Sequence, residues 1–202
     1  MMVTELMPAE TAPVALDEIK AFLRLTGSDE DALLDGFVRV ATSLAEAFTN
    51  QRLIARDVSE RLVASAAWQR LNGVPVVAIT GIADASGPLA GSAFETDIDL
   101  DGRGWVRITN PATLGAVVAA AIGTEPAIDG WDLRIAPRPQ ARVTVAYRVG
   151  MAADWNGVPE PLRQGITRLV AHLYTHRDAA DAGGPPAAVA ALWRPWRRMR
   201  IH

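Results

Sequence analysis

The chain has 202 residues, half of them hydrophobic and about a fifth charged, which is enough for a full core in one domain, with or without an extended arm. It contains no cysteine, which excludes disulfides, thiolate zinc sites and cysteine nucleophiles, and its formal net charge is −3. No basic patch and apolar run opens it, and its longest apolar stretch, Leu114–Ile122, falls far short of the ~20 residues of a bilayer span, so a soluble protein without a membrane partner is expected.

Residues 1–15, with Pro8 and Pro13, read as irregular. Leu16–Leu25 reads as a short helix with Ile19, Phe22 and Leu23 inward and Asp17 and Glu18 at its start, where acids suit the helix dipole. Gly27 breaks it. Ser28 is predicted to cap a second helix, with Asp31 completing a partial capping box. Along that helix Leu34, Phe37, Ala41, Leu44 and Phe48 recur three and four apart, an apolar stripe expected in the protomer core or in a subunit contact, and Asn50-Gln51 ends it.

From Val58 to Val149 the pattern changes to strands and turns. Val74–Ile82 is β-branched, Phe94–Leu100 alternates, and Asp101-Gly102 marks a turn into Trp105–Ile108. Asn110–Gly123 fits a short helix or a strand equally. Trp131–Ile135 and Ala141–Val149 give two more strands. Pro159 and Pro161 then fix a helix start, since proline suits the positions whose N–H would be unpaired anyway. Leu162, Ile166, Leu169 and Leu173 give that helix a buried face. The order of elements predicts an α+β fold, N- and C-terminal helices packed with a mostly antiparallel sheet region.

The segment after Gly183-Gly-Pro-Pro186 carries Trp193, Trp196 and four arginines, Arg194, Arg197, Arg198 and Arg200, and no acid follows Asp181. Two readings stand. Val189, Leu192 and Trp193 fit a terminal helix packed on its own domain with the arginines solvated. The flexible break and the Trp–Arg pairing of interface hot spots favour instead a projecting docking arm, which divides the chain into a domain at residues 1–182 and an arm at 183–202. On that reading, removing the arm leaves a folded domain. Residues 1–181 carry 16 basic and 23 acidic side chains, a body that repels phosphate, so an acidic protein groove is the arm's expected partner and nucleic acid the alternative.

Motifs for chemistry are partial. Asp97-Ile-Asp-Leu-Asp-Gly102 imitates a calcium loop, but its twelfth position is Ile108 rather than a bidentate glutamate, and its alternation suits a strand and turn. His172 and His176 stand one helical turn apart, yet the residue after the first is Leu173, where a zinc protease needs its glutamate. Gly102-Arg-Gly104 lacks the third glycine of a dinucleotide loop. No catalytic residue, metal ligand or cofactor is assigned; a hydrolase built on a spatial triad is the minority alternative.

Leu16-Asp-Glu-Ile-Lys-Ala-Phe-Leu-Arg24, Asp31-Ala-Leu-Leu34, the Val74–Ile82 strand, Val143-Thr-Val-Ala-Tyr-Arg-Val-Gly150, Val158-Pro-Glu-Pro-Leu-Arg-Gln164, Leu169-Val-Ala-His-Leu-Tyr-Thr-His-Arg177 and the closing Trp-Arg-Pro-Trp-Arg-Arg198 occur in one order. In that order the chain resembles the head–tail connector (adaptor) proteins of tailed bacteriophages and phage-derived gene transfer agents. Ala15 departs from the serine or threonine cap common there. The resemblance implies a structural role without catalysis: a ring, commonly twelve-fold, under the portal protein, extending the DNA channel and presenting a platform to a tail-side neck or tail terminator protein. DNA passes through the lumen without specific binding, and the protein resides in the neck of a particle assembled in the bacterial cytoplasm. It also implies that the C-terminal segment docks on the portal, through Leu192, Trp193, Arg194, Trp196, Arg197, Arg198 and Arg200. Another neck or tail-completion protein, or a nucleic-acid-binding protein using the Arg/Trp tail, are the alternatives.

Overall fold

A computed structural model describes residues 3–5, 16–111, 141–176 and 184–198. The ambiguous stretch from residue 112 to 123, the predicted strand Trp131–Ile135, Gly183 and Arg200 lie outside them. The chain divides into two compact units, residues 1–6 with 57–148 and residues 7–56 with 149–202.

The first unit is built of sheet. Its strands are β1 (Val3–Glu5), β2 (Arg56–Val63), β3 (Gln69–Arg70), β4 (Val76–Asp84), β5 (Gly87–Pro88), β6 (Phe94–Ile98), β7 (Gly104–Ile108) and β8 (Arg142–Val149). They form a five-stranded sheet in the order β1-β2-β8-β4-β5 and a three-stranded sheet in the order β3-β7-β6. β1 runs antiparallel to β2, β4 to β5, and β7 to both β3 and β6. Alternation sets the buried face: Val143, Val145, Tyr147 and Val149 of β8 are buried, as are Val58, Glu60 and Leu62 of β2. β2 itself was not legible, because Glu60 occupies one of its inward positions. That carboxylate accepts from the Tyr147 hydroxyl at 2.9 Å, from Asn72 N at 2.9 Å and from the Asn72 side-chain amide. Tyr147 Oη in turn accepts from Gly73 N at 3.1 Å. A buried acid is tolerated here because each of its oxygens has a donor.

The second unit is helical: α1 (Leu16–Leu23), α2 (Asp31–Thr49), α3 (Glu160–Thr175) and α4 (Ala187–Trp193), followed by a 3₁₀ turn at Arg194–Trp196. α3 begins with Pro159 as its cap residue and Pro161 in its first turn, as the proline pair dictates. α2 ends at Asn50, whose left-handed φ of 55° and N–H bonded to the Glu46 carbonyl close the last turn. Its start differs from the capping-box expectation. Glu30 is the cap residue and makes no side-chain cap bond, while Ser28 offers only its carbonyl, to Asp31 N at 3.2 Å.

The buried stripe of α2 is also turned relative to expectation. Leu34, Val38, Ala41 and Ala45 enter the core, Phe37 and Phe48 lie at its margin, and Leu44 is exposed. They pack with Ile19 of α1, with Leu162, Ile166, Leu169 and Val170 of α3, and with Val189 and Trp193 of α4. Two short connectors complete this core. Residues 52–55 pass against residues 150–152, with Ala55 N donating to the Ala152 carbonyl at 2.8 Å. The approach requires Gly150: with φ of 147° it admits no Cβ, which would lie 2.3 Å from Ala55 Cα.

Candidate functional site

The C-terminal segment is where sequence reasoning placed the docking residues, and the structure sorts them into two groups. Trp193 is fully buried in its own unit and Leu192 packs at the core's edge. The Trp193 indole lies across α3 at Gly165, where a Cβ would sit 2.1 Å from Nε1. Its Nε1–H points to the Leu162 carbonyl at 3.4 Å, and its ring meets Phe48 at a centroid distance of 5.8 Å, tilted by 57°. The projecting arm expected from the sequence is therefore not confirmed. Over residues 184–198 the segment lies on the helical unit, because a tryptophan with a glycine notch to enter buries more apolar surface packed than extended. Trp193 is a core residue of the chain, and Leu192 packs against that core. The signal was present: Val189, Leu192 and Trp193 recur at helical spacing, and a glycine interrupts α3 where its face should be largest.

The segment is held beyond α4 as well. Arg198 N donates to the Thr49 carbonyl at 2.9 Å, and Gln51 Nε2 donates to the Trp196 carbonyl at 2.5 Å. These bonds fasten the 3₁₀ turn to the end of α2. Arg194 and Arg197 remain exposed, with Trp196 and Arg198 half-buried between and beside them. The Arg197 guanidinium stands 5.7 Å from the Phe48 ring centre, a cation–π contact that fixes its stem while leaving its donors to solvent. The result is a basic surface on a turn bonded to the end of α2.

Sequence reasoning missed the clamp below it. Glu46, buried near the end of α2, accepts from Arg52 Nη1 at 2.8 Å, Arg56 Nη2 at 2.5 Å and Leu53 N at 3.0 Å. Two guanidinium groups and an amide surround one carboxylate, so the chain leaving α2 is steered in a fixed direction. No local pattern marks such a residue, since a glutamate in a helix ordinarily reads as solvated.

The partial chemical motifs resolve into turns and helix ends. Asp99 Oδ1 accepts from Arg103 N at 2.8 Å, and Oδ2 lies 3.4 Å from Trp105 Nε1. The Arg103 N–H bond holds the Asp99 carboxyl below its usual range. Its oxygens thus serve the β6–β7 hairpin, and Asp97 sits opposite Trp105 in the ladder, as the strand-and-turn reading expects. The His172 and His176 rings stack at 4.4 Å, with His176 Nδ1 3.0 Å from the His172 carbonyl at the end of α3. Among the described residues no group of three or more histidine, aspartate or glutamate side chains is arranged to hold a metal, and no helix is long and apolar enough to cross a membrane.

A helical unit closed by its own C-terminal tryptophan, with antiparallel sheets between its two halves in sequence, makes this an α+β architecture. Residues 13–74 match the family model described as phage gp6-like head-tail connector protein. No curated protein matches the chain. Among solved structures, a chain from the neck of an empty gene transfer agent particle, computed with C6 symmetry, is similar at 28% identity and TM-score 0.71, covering 100% of this chain and 98% of that one. A chain from the virion of a native gene transfer agent particle is 27% identical with TM-score 0.66 over the same coverage. A third, from the neck of a native particle computed with C12 symmetry, is 24% identical with TM-score 0.68 and speaks for the fold alone. The resemblance read from the sequence is thus met by the connector family model over residues 13–74 and, over the whole chain, by the likeness to gene transfer agent neck chains.

Proposed function

We propose that the chain is a structural head–tail connector, a neck component of a phage or phage-like particle. In this role it forms a ring beneath the portal protein, lengthens the DNA channel and offers the tail-side neck protein its platform. The observation that carries this reading is the full-length likeness to the neck chain of a gene transfer agent particle, at TM-score 0.71 and 28% identity. The C6 symmetry with which that neck was computed supports a ring. The acidic excess of residues 1–181 suits a conduit through which DNA slides without adhering. The role is one of positioning, with no catalytic step.

Portal docking falls to the exposed face of the C-terminal turn: Arg194 and Arg197, with Trp196 and Arg198 beside them. Guanidinium forks match carboxylates in fixed geometry, so an acidic groove on the portal is the complementary surface. Trp193 and Leu192 act indirectly, by seating that turn. The isolated protein is a monomer or weak oligomer that closes its ring on the portal, assembled in the bacterial cytoplasm.

The test is a particle-producing strain lacking this chain, examined by electron microscopy and complemented in trans. The expected result is packaged heads without tails, restored by the wild-type chain, with ring density between portal and tail. Tails that attach normally in the deletion strain overturn the reading.

A further inference from the structure

Helix α2 is apolar around more of its circumference than its own unit covers. Leu33, Val40 and Leu44 follow one another at spacings of seven and four, and stand roughly 100° around the helix from the centre of the buried stripe. They are 39%, 48% and 39% exposed, whereas Leu34, Val38, Ala41 and Ala45 are at most 2% exposed. Phe37 bridges the two faces at intermediate burial, and Asp35 and Arg39, paired at 3.0 Å, mark the polar remainder. Three large aliphatic side chains aligned in water over most of a 19-residue helix form a patch of the kind that marks an interaction surface.

A second observation concerns Gly36, which lies beside this face within the helix. A Cβ added there meets nothing within 4 Å among the described residues, so their packing gives no reason for a residue that costs about 1 kcal/mol relative to alanine in a helix interior. A glycine in that setting permits another backbone to approach closely. The other large apolar side chain exposed in this unit, among the described residues, is Phe22 of α1. All four lie within residues 13–74, the part matching the connector family model.

We infer that the Leu33–Val40–Leu44 face of α2, with Gly36 beside it, is the surface on which a second copy of this chain packs. The occupant follows from symmetry and chemistry. In a closed ring every copy must present a flank to its neighbour through a heterologous contact, and the similar neck chain comes from an assembly computed with rotational symmetry. An uncharged aliphatic face offers nothing to DNA, and the basic turn already supplies the surface for an acidic partner. This inference rests on the ring reading above.

The test uses the full chain in assembled particles. Since the chain has no cysteine, Val40→Cys carries a single thiol for a benzophenone maleimide. Photo-activation in tailed particles is expected to link Val40→Cys to a second copy of the chain, as mapped by mass spectrometry. Separately, Val40→Asp with Leu44→Asp is expected to reduce neck incorporation at least about tenfold. As these positions are exposed, the purified double variant should keep a Tm within about 2 °C of wild type. Arg39→Ala, on the polar side, should incorporate normally. If wild-type chain is absent from the neck, the ring reading fails and this inference with it. If wild-type rings form but the cross-links run to a different protein, or within one chain to residues 7–15 or 112–140, the inference is overturned while the ring reading stands. Normal incorporation of a folded double variant overturns it likewise, and if that variant does not fold the cross-link decides alone.

Discussion

Single residues here act mainly by what they leave room for. Gly165 is the empty half of a contact whose other half is the Trp193 indole, so Gly165→Ala should lower stability by about 1–3 kcal/mol through overpacking, although alanine is otherwise the better helix former. Trp193→Ala leaves a cavity instead and should cost about 3–5 kcal/mol. Thermal melts check both, and a Tm unchanged in either would remove the notch from the account of the fold. Glu46→Gln strips the charge from between Arg52 and Arg56 and is expected to cost about 3 kcal/mol, read by urea denaturation. Asp99 gives a pH signature. Its carboxyl is depressed in the folded state, first by the Arg103 N–H and with a further contribution from Trp105. Its contribution is therefore complete above the unfolded value of about 3.9 and is lost as pH falls through the lower folded value. The stability gap between wild type and Asp99→Asn should narrow between pH 5 and pH 2.5, and it should be small because the turn is exposed. A gap that widened on acidification would contradict this assignment.

Among the elements, the sharpest reversal concerns the C-terminal segment. A chain truncated before Pro185 was expected to keep its fold; with Val189 and Trp193 in the core, it should instead lose the cooperative melt of the helical unit. Circular dichroism of the truncated protein decides between these outcomes. The elements that were legible in sequence are those whose signal is local. α1 and α3 announce their starts through acids and prolines, β8 through alternation, and the β6–β7 hairpin through Asp101-Gly102. The stripe on α2 was legible as apolar but not as to which side faces inward. Hydrophobicity along one helix does not distinguish a face covered by its own chain from a face left for another. The notch at Gly165 and the buried Glu60 carboxylate depend on partners distant in sequence, and nothing near Glu60 announces Tyr147, 87 positions away.

For the molecule as a whole, assembly and stability should separate by surface. Arg194→Glu with Arg197→Glu changes two exposed side chains, so the purified protein should melt within about 2 °C of wild type while tail attachment in particles falls. Rising salt should mimic the variant's effect on association in vitro, since exposed charges are screened. Counting tailed particles by electron microscopy checks the first expectation. Normal tailing would move the portal contact away from this turn. As to candidate sites, arginine and tryptophan at the C-terminus were legible as chemistry from composition alone. Their division into a buried anchor and an exposed basic face was not, because composition carries no depth.

The pairing of residues near position 50 with residues near 196 also bears on how the protein is made. Gln51 and Trp196 are 145 positions apart, and the sheet residues 57–148 are synthesised between the two halves of the helical core. On the ribosome, α1 and α2 emerge with their buried stripe uncovered and must wait for α3 and Trp193 before the core can close. Translation of the intervening residues takes on the order of 5–20 s at bacterial elongation rates. During that interval an aliphatic helix is exposed in the nascent chain, the kind of surface that aggregates unless it is shielded.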